Sequence, residues 1–515
     1  MLAKTFSATI LGIEIHPVEI EINATEGGDN PFTTIVGLPD AAVKESKERV
    51  WAALSNSGYC YPTGTTVISL APSDIKKEGA AFDLPIALGI LATAGKIERN
   101  YVADIMSVGE LSLDGTLRPI KGALSFALSA KSHPDINGLI VPEQNAAEAA
   151  IAAGNQLPVY GVKHLQEAVE LLSGKSNITR VIPEDFNNFS ALNTINCDFS
   201  DVKGQTLAKH AIEIAAAGGH NVLMIGPPGS GKSLISKRVP GILPPMTLDE
   251  ALETTKIHSI KGVLPNNEPL LKQRPFRSPH HTISDAGLIG GQTNPTPGEI
   301  SLAHNGVLFL DELPEFKKNV LEVLRQPLED GIVTVSRAAG TFTFPSNFIL
   351  IAAMNPCPCG FDGSLQRKCR CSSSQINRYK SKISGPLLDR IDIHVEVEAL
   401  SEDELMSAAT GESSEKIRER VIKARKIQEQ RFISDKGIYT NADMPPSLMS
   451  KHCILDKAGE TKLRHSIKEL ELSARAYDRI LRVSRTIADL AGSEKIQSNH
   501  IFEAINYRNL DKRLW

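Results

Sequence analysis

Gly226-Pro227-Pro228-Gly229-Ser230-Gly231-Lys232-Ser233 is a complete G-x-x-x-x-G-K-[ST] loop. The apolar run Asn221-Val222-Leu223-Met224-Ile225 precedes it and reads as a buried strand, and Leu234-Ile235-Ser236-Lys237 follows as a helix start. Strand, glycine-rich turn and helix is the setting this motif needs. The glycines let backbone N–H groups close around phosphate oxygens; Lys232 reaches the β- and γ-phosphates and Ser233 offers a hydroxyl to magnesium. The reading is therefore an α/β fold that binds ATP with Mg2+ through residues 226–233, and the rest of the chain is read outward from there.

Gly306-Val307-Leu308-Phe309-Leu310 ends in Asp311-Glu312, two carboxylates at the carboxyl end of a buried strand. Ligands sit there in open α/β sheets. Asp311 is the second magnesium ligand, and Glu312 the general base that polarises the attacking water. A third apolar run, Phe348 to Met354, ends at Asn355-Pro356. Its amide is expected at the tip of a strand lying between the other two, where it can orient the water; a plain strand-terminal turn is the alternative. Ser384-Gly385-Pro386-Leu387-Leu388-Asp389-Arg390 follows.

This order of motifs resembles an AAA+ ATPase of the magnesium-chelatase and MCM-helicase clade. The resemblance implies that Arg390 acts in trans on a neighbour's nucleotide and that Arg475, in Ser473-Ala474-Arg475-Ala476-Tyr477, serves as sensor 2 from a helical lid. Surface salt bridges are the alternative for both. An arginine supplied by a neighbour requires a ring, by resemblance a hexamer, because only the next subunit then neutralises charge on the γ-phosphoryl group.

Composition bounds the partners. The 515 residues are enough for several domains, and 41% hydrophobic with 23% charged is ordinary for a globular protein. A net charge of −4 means that any nucleic-acid contact must rest on a local basic patch. No window reads as a membrane span; Ala80 to Ala94 is too short and contains Asp83 and Pro85. The N-terminus reads as alternating strands rather than a signal peptide, and the cysteine pattern is not a disulfide framework, so a cytoplasmic protein is expected.

Cys357-Pro358-Cys359 and Cys369-Arg370-Cys371 bring four thiols into one short stretch. Two close pairs match a structural zinc site, with free thiols as the other reading. Around them lie Arg367, Lys368, Arg370, Arg378, Tyr379, Lys380 and Lys382. A basic loop with an aromatic residue suits phosphates and a stacked base of single-stranded or branched DNA; a solvated charge run is the alternative. Residues Gly331 to Arg337 and Thr341 to Phe344 flank a glycine-bearing turn and read as a β-hairpin with Arg337 near its tip. His280 and His281, although adjacent, are read as structural or pore-loop residues rather than metal ligands. Further on, Glu419 and Lys423 are spaced as an i, i+4 pair on a charged helix.

Residues 67–85 and 109–122 resemble the proteolytic domain of Lon, an α+β fold. The nucleophile position is Ala81 and the lysine position Leu124, so neither half of a Ser–Lys dyad is present. A displaced dyad of Ser73 and Lys121 is the remaining proteolytic option. The expected organisation is a Lon-like, proteolytically inactive domain at 1–172, a linker at 173–198, an AAA+ core at 199–396 with its cysteine insertion at 357–371, and a helical lid at 397–515. Over nearly its whole length this order is similar to the ComM (YifB) family. That resemblance implies an ATP-driven DNA motor, a hexameric helicase promoting branch migration in recombination or natural transformation. The competing readings are a magnesium-chelatase ATPase subunit, a protein-remodelling ATPase and an ATP-dependent protease.

Overall fold

The computed structural model describes residues 1–25, 27, 32–183, 197–265, 268–291, 295–337, 340–363, 367–401, 404, 406, 411–435, 437–470 and 473–508. Half of the expected linker, residues 184–196, therefore lies outside the described residues. The chain divides into two compact units. One comprises Met1–Phe189, Thr247–Leu271 and Asn294–Thr296; the other comprises Ser190–Met246, Lys272–Thr293 and Pro297–Trp515.

The first unit is built on a seven-stranded mixed sheet in the spatial order Phe32–Val36, Thr65–Ala71, Glu14–Ala24, Leu2–Leu11, Ile105–Ser107, Gly138–Pro142, Val159–Val162. Alternation creates its faces. In Glu14–Ala24, Val18, Ile20 and Ile22 are buried, while Glu19 and Glu21 turn outward, each within salt-bridge reach of Lys4 on the neighbouring strand. The helix Asp83–Thr93 is buried at every position. An all-round apolar helix has to sit inside a core, which accounts for the one membrane-like window in the sequence. Its first residue, Asp83, is fully buried and forms a two-pronged pair with Arg49 at 2.8 and 3.0 Å.

Thr247–Leu271 falls between the phosphate loop and Asp311 in sequence, yet it packs with the first unit. Thr247 and Glu250 form a capping box that starts its helix, Leu248–Lys261. Near the other end, the Ser259 hydroxyl donates to the buried Glu148 carboxylate and accepts from the Gly122 N–H at 3.0 Å. Glu148 also accepts from the Leu124 N–H at 3.1 Å.

The second unit holds a five-stranded parallel sheet in the order Phe276–Arg277, Val307–Leu310, Ile349–Met354, Val222–Ile225, Ile393–Glu396. Its inner strands are buried on both faces and therefore read as continuous apolar runs. The strand that ends before Asn355 lies between the phosphate-loop strand and the strand that ends before Asp311. The helix Thr206–Gly218 packs beside this sheet, and Ser414–Arg431 lies on it through Ile417, Val421 and Ala424. Among the described residues, the helices Pro446–His452, Lys457–Leu470, Ala474–Leu490 and Ser498–Asn506 complete the C-terminal part. No helix among the described residues is long and apolar enough to cross a membrane.

Candidate nucleotide site

The parallel sheet delivers three functional loops to one end because its strands run the same way. Gly226 follows the strand Val222–Ile225, and a Cβ there would lie 2.0 Å from the Val397 carbonyl oxygen, so only glycine lets the loop leave the sheet at this point. The loop ends at Lys232, which opens the helix Lys232–Ser236.

Lys232 is buried. Its Nζ donates to the carbonyls of Gly226 and Pro227 at 2.7 and 2.8 Å and lies 3.3 Å from Asn355 Oδ1. Burial lowers the ammonium pKa to about 8, against the raising influence of Asp311. Ser233 Oγ donates to Asp311 Oδ2 at 2.5 Å. Two hard oxygen donors side by side suit magnesium. Lys232 and Ser233 are thus gathered into one cluster with Asp311 and Asn355, which lie far from them in sequence. Glu312 is beside it in the left-handed region, at φ 53°, and its backbone N–H donates to Asp311 Oδ1. Such backbone strain in a non-glycine residue is stored where geometry matters.

No motif points to the partner of Glu312. His281 Nδ1 lies 3.4 Å from Glu312 Oε2, and its ring packs on His280 and edge-on to Phe316. A pair of adjacent histidines carries no pattern that points to a carboxylate about 30 residues away. Arg390 is engaged elsewhere: one nitrogen pairs with Glu329 and another donates to the Pro386 carbonyl. Arg475 is exposed and, after Arg390, also helps hold the Glu329 carboxyl below its ordinary pKa. Arg390 therefore engages Glu329 rather than joining Lys232, while Arg475 acts on the same carboxyl through its charge.

Three family models match in succession: subunit ChlI of Mg-chelatase over residues 20–145, magnesium chelatase subunit ChlI over 198–405, and its C-terminal part over 411–508. The competence protein ComM of Haemophilus influenzae is 43% identical over 519 residues, covering 100% of this chain and 98% of that protein. The chain belongs to the ComM/YifB family. A YifB protein of Escherichia coli is 41% identical over 520 residues, again with 100% and 98% covered. By contrast, the magnesium-chelatase 67 kDa subunit of Chlorobaculum parvum is 28% identical over 164 residues, 31% of this chain and 23% of that one. Membership of the ComM/YifB family makes this a magnesium-chelatase-like AAA+ ATPase with the parallel sheet expected of one.

The basic residues of this ComM/YifB chain divide by environment. Arg337 ends the strand Ile332–Arg337, which pairs antiparallel with Gly340–Pro345; it is exposed, and residues 338–339 at the tip lie outside the described ones. Arg367, Lys368, Arg370 and Arg378 are exposed, with Arg367 stacked over Phe361. Lys380 is half-buried. Tyr379 faces inward at 5% exposure, where its oxygen takes the Asn355 backbone N–H. This corrects the expectation of a base-stacking platform, because neither face of a buried phenol is open to a base. In the N-terminal unit Ala81 and Leu124 occupy apolar surroundings, while Ser73 and Lys121 are exposed and, among the described residues, share no hydrogen bond.

Proposed function

We propose that this chain is the subunit of an ATP-driven DNA motor, a cytoplasmic hexameric helicase that promotes branch migration in homologous recombination and natural transformation. The observation that carries the ATP half is the convergence of Lys232, Ser233, Asp311 and Asn355, with Glu312 at its edge. Residues 226–231 cradle the phosphates with their backbone N–H groups, and Lys232 neutralises the β- and γ-oxygens. Ser233 and Asp311 would hold magnesium, which when bound supplies further neutralisation of phosphate charge. Glu312 takes the proton of the attacking water, and Asn355 orients that water. Arg390 serves a nucleotide across a subunit boundary, and Arg475 serves as sensor 2 from the helical lid.

The DNA half rests on a full-length relative named as a competence protein. Exposed Arg337, Arg367, Lys368, Arg370 and Arg378 support it, since a chain of net charge −4 needs a local basic surface to grip phosphates. In this reading residues 397–515 act as a helical lid, and the ATPase core expected at 199–396 gives up Thr247–Leu271 to the N-terminal unit. The Lon-like domain is an assembly or DNA-contacting module, because Ala81 and Leu124 offer neither nucleophile nor base.

Steady-state ATP hydrolysis with and without single-stranded and branched DNA tests the proposal, with Glu312→Gln as control. DNA is expected to stimulate the rate, and the stimulation to vanish at high salt. Glu312→Gln is expected to lower turnover by roughly a hundredfold or more. Robust hydrolysis indifferent to every DNA would refute the motor and favour a chelatase-type or protein-remodelling ATPase.

A further inference from the structure

Beyond the nucleotide site, the four clustered cysteines come together at their sulfurs. Cys357 Sγ lies 3.3 Å from Cys359 Sγ and 3.7 Å from Cys369 Sγ, and the last two are 3.6 Å apart. All four, Cys371 included, lie within 4.8 Å of one another, and none is in a disulfide. Thiolates at the usual Zn–S length of ~2.3 Å form a tetrahedron with edges of about 3.8 Å. Cys357 is buried and the other three are partly so. The Cys371 backbone N–H donates to Cys369 Sγ at 3.4 Å, the kind of outer contact that steadies a ligating sulfur.

The loop bearing these thiols touches the nucleotide site at two points. Gly360, between the second and third cysteines, has φ 84°, and a Cβ there would lie 2.5 Å from Pro228 Cδ in the phosphate loop. The backbone of the cysteine loop therefore abuts residues 226–233 at a distance that only glycine allows. After Cys371, a capping box of Ser372 and Gln375 starts the helix Ser373–Lys380. That helix carries Tyr379, whose oxygen accepts the Asn355 N–H. Cys357 itself lies two residues beyond Asn355.

We propose that the four thiolates hold one zinc-class divalent ion, and that this ion braces the phosphate loop and Asn355 against one another. Soft sulfur donors select such an ion over magnesium, and four protein ligands leave no open position, so it is structural rather than reactive. Such an ion would tie the segment that places Gly360 against Pro228 to the one that leads into helix Ser373–Lys380 and Tyr379. The bracing rests on reading the site as an ATP site; the metal itself does not.

Elemental analysis of the purified full chain is expected to find one zinc per chain, released by a thiol-reactive mercurial. Cys359→Ser should lower that content. Hydrogen exchange in residues 226–231 should quicken in stripped protein while the N-terminal sheet is unchanged. ATP hydrolysis should fall by about tenfold or more, as when the outer support of a site is removed. Because a cysteine variant can fail to fold, Gly360→Ala is the second test: it keeps all four thiols, and should keep zinc yet weaken nucleotide binding. Absence of metal together with four titratable thiols would overturn the proposal. So would stripped protein and Gly360→Ala that both bind and hydrolyse ATP as wild type does. None of these readouts involves DNA, so they stand apart from any failure of the motor reading.

Discussion

Lys232 needs its proton to grip phosphate, and its burial works against that. Its pKa in the folded chain, about 8, lies below the ordinary 10.5 because burial disfavours the ammonium. The penalty for holding the charge is present below pH 8 and is relieved as pH rises toward 10.5, so without nucleotide this group gives greater stability on the alkaline side. Bound phosphates reverse the balance by partnering the ammonium. Nucleotide binding should therefore take up protons above pH 8, and affinity should decline between pH 8 and 9.5. Titration calorimetry in two buffers of different ionisation heat reads both effects; flat affinity with no proton uptake would refute the assignment. Lys232 was legible in the sequence because its role is written in its immediate neighbours. His281 and the Gly360–Pro228 approach were not, since each depends on segments that meet only after long-range packing.

At the scale of elements, spacing in the sequence marks out a helix and its buried face, but not where the charges go. Ser414–Arg431 buries Ile417, Val421 and Ala424 at helical spacing, as its pattern implied. Its polar residues, however, are spent on a neighbour. Arg420 pairs with Glu213 and Glu412 at 2.6 Å each, while Arg425 and Gln428 donate to the carbonyls of Ala216 and Ala217 in the last turn of Thr206–Gly218. Those carbonyls have no partner within their own helix. The i, i+4 spacing of Glu419 and Lys423 gave no hint of this. A tighter network lies below, where fully buried Asp489 receives Arg431 at 2.5 Å, Arg485 at 3.0 Å and Asn441 at 2.8 Å. Asp489→Ala strands two largely buried arginines and should cost roughly 3–5 kcal/mol. Thermal unfolding should show the C-terminal helices melting first; an unchanged transition would mean that the network contributes nothing.

For the molecule as a whole, the contacts of Arg390 set an expectation about assembly. Arg390 is held at Glu329 rather than at its own chain's Lys232, which suits a group that completes a neighbour's site. Specific ATPase activity should then rise steeply with protein concentration, and Arg390→Ala should lower it by about a thousandfold, the lower range for arginine fingers. Activity independent of concentration would argue for a self-sufficient subunit. The parallel sheet and the order of its catalytic loops were readable from motif order alone. The affiliation of Thr247–Leu271 was not, because nothing local tells a helix which of two cores will receive it.

That affiliation limits how the gene can be divided. The N-terminal unit takes one of its helices from deep inside the ATPase span, and the Ser259 hydroxyl from that helix is what the buried Glu148 receives. A fragment ending at residue 189 would thus be missing a piece of its own interior, and the complementary fragment would carry that piece with nowhere to bury it. The unit cannot be exchanged between relatives as a single cassette. Separate stretches of coding sequence must travel together, so drift in one constrains drift in the others.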